Sequence, residues 1–135
     1  MPTQSELTHF FKTEFPQAEF TIESISHRSV TIKKTISHQH LRPGGTVSGP
    51  VLMEVADAAI YVAILAELGL VALAVTTSLN INFLRKPAAD KDIVARCDLL
   101  KVGRSLVIGE VSLYSAGQDE PVAHAVGTYS IPPSR

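Results

Sequence analysis

The sequence predicts an α+β protein in which a curved antiparallel sheet of five or six strands wraps one long central helix, with a short N-terminal helix ahead of them. Three observations carry this. Residues 51–68 are apolar on nearly every face and rich in Ala and Leu, so a helix there must be covered on most sides. Between Val75 and Ile131, four stretches of about ten residues alternate apolar with polar side chains and are separated by Gly- or Pro-bearing turns, as consecutive antiparallel strands are. A further strand-like region, Glu19 to Ile36, precedes the helix, and strands segregated around one helix make an α+β arrangement.

The elements follow in order. Ser5 to Phe11 reads as the short first helix, with Ser5 placed to cap it and Pro16 closing the region. In Glu19–Ile36 the residues Ile22, Val30 and Ile32 recur among polar ones, which suits a strand pair or one long bent strand. His38 to Gly45 reads as a loop. The central helix is expected from Val51 to Leu68, with Thr46 or Ser48 as its cap, Pro50 in the first turn and Gly69 just past its end. The last four strands are expected at Val75–Leu84, Ile93–Lys101, Ser105–Tyr114 and Val122–Ile131, as a simple antiparallel meander.

Composition narrows the classes of function. A chain of 135 residues fits one domain, residues 1–135, that can bury a core without staples. A formal charge of −1, with only 12 scattered Lys and Arg, leaves no basic footprint for nucleic acid. The single Cys97 excludes an internal disulfide and suits a reducing compartment. The start, Met1 to Glu6, lacks a basic and an apolar signal region, so a cytoplasmic location is expected. Residues 51–75 approach the length of a bilayer span, but Glu54, Asp57 and Glu67 would be costly in lipid and Gly69 splits the run; no membrane association is expected.

The chemistry-bearing stretch is Gly44-Gly45-Thr46-Val47-Ser48-Gly49-Pro50, followed by Glu54 and Asp57 inside the apolar helix, and later by Asn80-Ile81-Asn82-Phe83-Leu84-Arg85-Lys86-Pro87. This spacing resembles the hotdog-fold acyl-CoA thioesterases of the PaaI-like, phenylacetate-pathway family over roughly residues 40–131. That family shows a His-Gly-Gly turn, an apolar helix with an acid nine positions after the His, and a strand ending in a Phe-Leu-Arg-Pro-like run. The resemblance implies a hotdog fold, hydrolysis of an acyl-CoA thioester, and no cofactor or metal. It puts Asp57 on the catalytic carboxylate, as general base or nucleophile, and Gly49 on the glycine whose backbone N–H polarises the carbonyl. It puts Thr76 where a hydroxyl stands near the reacting centre, and Arg85, Lys86 and Arg104 in two successive connections that hold coenzyme A phosphates. Ser48 stands where the family has His, Pro50 where it has the second glycine, and Arg42 where many members have Asn. Ser48 is therefore expected as a helix cap or a neighbour of the substrate carbonyl; it is no nucleophile, because Gly49 follows it directly and the G-x-S-x-G elbow fails.

Gly49 and Asp57 lie eight residues apart on one helix, about 12 Å along its axis, and cannot both reach one carbonyl carbon. A two-fold dimer with antiparallel helices would bring Gly49 of one chain to Asp57 of the other, so a homodimer or a dimer of dimers is expected. Glu54, one turn before Asp57, is expected at the rim. His38 and His40 are expected as solvated loop residues. Two other readings stand beside thioester hydrolysis: an acyl-thioester hydratase or dehydratase, which would need a His paired with the acid, and a non-catalytic acyl-CoA binding or sensing protein.

Overall fold

The structure is a computed structural model that describes residues 1–16 and 18–133. Helix α1 spans Gln4–Glu14 and opens on Thr3 rather than Ser5. Thr3 Oγ1 accepts the Glu6 N–H at 3.1 Å, and Glu6 returns the bond from the Thr3 N–H at 2.9 Å. That reciprocal box needs an acid three residues after the cap, which Thr3 has and Ser5 lacks. Leu7 and Phe11 are buried, and the Phe11 ring meets Phe20 and Tyr61 edge-on at 5.0 and 5.6 Å, fixing α1 over the middle of the molecule.

The region after it is a hairpin, β1 (Thr21–Ser26) and β2 (Ser29–Lys34), turning at Arg28 with φ 56°. The expected loop at 38–45 contains more order: a 3-10 turn at His38–His40, then a two-stranded ribbon of β3 (Leu41–Arg42) and β4 (Thr46–Val47). Its turn needs Gly44 and Gly45 at φ 101° and 78°. Helix α2 spans Gly49–Leu68, two residues earlier than expected, and ends at Gly69 with φ 99°. Ser48 occupies the cap position, yet its side chain makes no capping bond.

Strands β5 (Val75–Phe83), β6 (Ile93–Val102), β7 (Leu106–Ser115) and β8 (Ala123–Ser130) complete an antiparallel sheet of six strands, ordered β1-β2-β6-β7-β8-β5. The simple four-strand meander is therefore corrected. Strand β6 has β2 on one edge and β7 on the other, so β5 has no place beside it and pairs with β8 at the far edge. The sheet lays Val30, Ile32, Ala95, Cys97, Val111 and Ala125 against α2, whose Val55, Ala56, Ala59, Ile60 and Ala63 are equally buried.

Helix and sheet come close together at Gly109 and Gly127, which face each other across β7 and β8 and both meet Ile60. A Cβ on Gly127 would lie 2.6 Å from Ile60 Cδ1 and 3.2 Å from Leu79 Cδ1. Ile60 is fully buried and has nowhere to move. Gly127→Ala is thus expected to lower stability by about 1–3 kcal/mol, read as a lower urea midpoint at unchanged slope.

Cys97 is buried beside Asp98 and Glu110, and burial first, then those carboxylates, push its thiol up to about 12. Its proton is held more tightly in the folded than in the unfolded chain, so the stability tied to it is complete below pH 9 and is lost as pH rises towards 12. Cys97→Ala removes this slope. The stability gap between wild type and variant is expected to shift in favour of the variant by up to about 1.4 kcal/mol per pH unit across that window, measured by urea titration.

Candidate active site

Asp57 projects from the middle of α2 and is half-buried. Thr76 Oγ1 and the Tyr129 hydroxyl both donate to its Oδ1, each at 2.8 Å. Tyr129 comes from β8, on the inward row with Ala123 and Ala125. Thr76 reaches the same face only through a bulge. Strict alternation from Leu79, which packs near Gly127, would turn Thr77 inward; the register shift between Thr76 and Ser78 adds one residue and pairs Thr76 with Tyr129 instead.

Burial, reinforced by the Asp57 charge and opposed by the Thr76 hydrogen bond, pushes the Tyr129 phenol far up, so it remains a donor throughout the neutral range. Tyr61, one turn after Asp57, stacks on Tyr129 at 5.9 Å and donates its hydroxyl to the Ala72 carbonyl at 2.9 Å. Burial raises its phenol too. Two neutral donors thus hold one carboxylate oxygen, and among the described residues none donates to Oδ2. The ordered Oδ1 fixes the carboxylate plane and leaves Oδ2 for a reacting group.

Two cavities meet at Asp57, Tyr61, Tyr129 and Phe15. The first, about 330 Å³, is walled by Phe20, Ile32, Val55 and Ala58 and has Lys34 in its lining. The second, about 530 Å³ and more open, reaches out past Thr76, Val75 and Phe10. No histidine lines either cavity among the described residues. Lys34, whose importance the sequence did not disclose, is 7% exposed; Glu54, 3.8 Å from its ammonium, lies at the exposed rim as expected.

Gly49 lies at the N-terminus of the helix, eight residues before Asp57. The first bond within the helix is from the Leu52 N–H to the Ser48 carbonyl, at 3.2 Å. Ser48 does not cap and Pro50 has no N–H, so the N–H groups of Gly49 and Val51 point out of the helix end. Gly49 lines a cleft of about 400 Å³ that also contains Arg42, Phe83, Arg85 and Lys86. The Phe83 ring covers Gly49 so closely that a Cβ there would sit 3.3 Å from its Cζ. The helix dipole and three cations make this the electropositive end.

The basic residues separate. Arg85 is engaged, with Nη2 3.0 Å from Glu120 Oε2 and Nη1 donating to the Pro121 carbonyl, while Lys86 is exposed. Arg104 sits in the β6–β7 turn, at the end of the sheet where Val75 pairs with Ser130. Arg85 follows the opposite end of β5, so the two successive connections are not neighbours within one chain. Tyr129 was missed from sequence; its inward parity on the last strand, opposite an acid-bearing helix, was the available signal.

Comparison with known proteins gives the geometry a context. The sequence pattern of the thioesterase superfamily matches residues 44–122. A structure from Silicibacter sp. TM1040, provisionally named a thioesterase, is 42% identical, with a TM-score of 0.90 over 96% of this chain and 92% of that one. The Escherichia coli PaaI protein of the phenylacetic acid degradation operon shares the fold at 20% identity, with a TM-score of 0.78 over 94% of each chain. A Thermoplasma acidophilum protein provisionally named an esterase is 26% identical over 113 residues, 84% of this chain and 83% of its own.

Proposed function

Because this chain belongs to the thioesterase superfamily, we propose that its two half-sites combine across a two-fold dimer to hydrolyse acyl-CoA thioesters. That it is a thioester hydrolase of the hotdog fold follows from the family and from the 42% identical structure. The finer reading rests on one observation: Asp57 is held by Thr76 and Tyr129 through Oδ1 and lines two cavities that share Phe15, Tyr61 and Tyr129.

The substrate carbonyl lies between Asp57 of one subunit and the helix N-terminus of the other. As general base, Asp57 takes a proton from water while the water oxygen bonds to the carbonyl carbon. The carbonyl π electrons move to oxygen, where the N–H of Gly49 of the partner subunit and its helix dipole receive the charge. Collapse of that intermediate breaks the C–S bond and expels the CoA thiolate, which takes the proton back from Asp57 and restores the base. As nucleophile, Asp57 Oδ2 instead attacks the carbonyl carbon, the C–S bond breaks to release the CoA thiolate, and water opens the resulting mixed anhydride to give the free acid and restore the Asp57 carboxylate. Both routes use the same ordered carboxylate. Ser48, beside the oxyanion site, offers a hydroxyl to the carbonyl oxygen.

The same antiparallel pairing brings Arg85 and Lys86 of one subunit to the end of the partner subunit that carries Arg104. That cluster suits CoA phosphates, with Lys86 and Arg104 supplying charge and Arg85, already held by Glu120, shaping the wall. No described helix is long and apolar enough to cross a membrane. A cytoplasmic location, where CoA esters are made, fits this reading.

Release of free thiol from short, medium and aromatic acyl-CoAs tests it. Turnover of at least one member, without added metal or cofactor, is expected. No release from any of them would overturn it.

A further inference from the structure

We infer that Lys34 makes the inner cavity selective for a short acyl group carrying a neutral hydrogen-bonding oxygen, a keto or hydroxyl group, a few carbons from the thioester. This rests on the thioesterase reading of Asp57. The cavity of about 330 Å³ begins at Asp57 and is apolar along Phe20, Ile32, Val55 and Ala58, which suits the carbon chain of an acyl group. Against that wall stands one buried cation. Lys34 ends the inward row of β2 after Val30 and Ile32, where an apolar residue would continue the pattern.

Its ammonium carries three donors. One goes to the Glu19 carbonyl at 3.0 Å, and Glu54 Oε1, at 3.8 Å, lies beyond hydrogen-bond reach. A substrate oxygen entering the cavity can take a remaining donor. The position follows from the helix: Glu54, which marks the ammonium, is three residues before Asp57, about 4.5 Å along the axis. An extended acyl chain covers about 4.5 Å in three to four carbons, so an oxygen on the fourth carbon beyond the reacting carbonyl, as in a 5-oxo acyl group, comes level with the ammonium.

Charge chooses between a neutral oxygen and a carboxylate. Glu19, Glu54 and Asp57 line the cavity with Lys34 as its only cation among the described residues. A dicarboxylic acyl group would add another negative charge to that excess, whereas a keto oxygen accepts the bond and adds none.

The test compares hexanoyl-CoA, 5-oxohexanoyl-CoA and adipoyl-CoA as substrates of the protein as it assembles in solution. Wild type is expected to give the highest kcat/KM for the 5-oxo substrate and the lowest for adipoyl-CoA. Lys34→Met should lower the ratio of 5-oxohexanoyl to hexanoyl kcat/KM roughly tenfold to a hundredfold, because only the 5-oxo substrate loses a charge-assisted hydrogen bond. A merely structural lysine would depress both substrates alike and leave the ratio where it was, which would overturn the inference. So would a wild type that does not prefer the 5-oxo substrate, a result that needs no variant. Should Lys34→Met not fold, Lys34→Leu, which likewise has no donor, supplies the same ratio. Good hexanoyl-CoA turnover with no 5-oxo preference would refute the selectivity and leave the thioesterase reading standing; no turnover of any acyl-CoA would refute both.

Discussion

Asp57→Asn is expected to lower thioester hydrolysis by roughly 10²–10⁴-fold while leaving the fold intact. The amide oxygen of Asn can accept the same two hydrogen bonds, from Thr76 and Tyr129, that now reach Oδ1 at 2.8 Å each. What the variant loses is the basic and nucleophilic character of the second oxygen. An unchanged melting temperature with lost thiol release would separate chemistry from folding. Equal turnover by wild type and variant would remove Asp57 from the reaction.

The second large effect is complementation. Asp57→Asn destroys the acid half of the site, and Gly49→Val blocks the other half with a side chain that also presses on the Phe83 ring, already 3.3 Å from a Cβ at that position. Each variant alone is expected to be inactive. If every site takes Gly49 from one subunit and Asp57 from the other, a mixed dimer has one site with both defects and one with neither. Random re-pairing of equal amounts then restores about a quarter of wild-type activity. Mixtures no more active than their parents would refute the shared site, as would an active monomer in sedimentation.

Much of this architecture was legible because it rests on local patterns. The all-apolar stretch before Gly69 could only be a wrapped helix, and the alternation in Ile93–Lys101 or Val122–Ile131 marked strands with one buried face. Local capping was less legible. Thr3 and Ser5 are both competent caps, and only Glu6, placed three residues after Thr3, decides between them. Strand order was not legible at all, since β5 pairs with β8 only because the β1–β2 hairpin occupies the free edge of β6.

By itself, then, the sequence determined an α+β chain with one buried helix, the acid at Asp57 on that helix and the glycine at Gly49 where it begins. Tertiary structure decided what surrounds the acid. Tyr129 lies 72 residues away in sequence, Thr76 turns inward only through a bulge, and Lys34 reaches the cavity from a strand that precedes the helix. The physical reason is the range of the forces concerned. Periodicity and capping are set within a few residues, whereas the hydrogen bonds on Asp57 and the charge beside it are made by groups that meet only when the sheet closes over the helix.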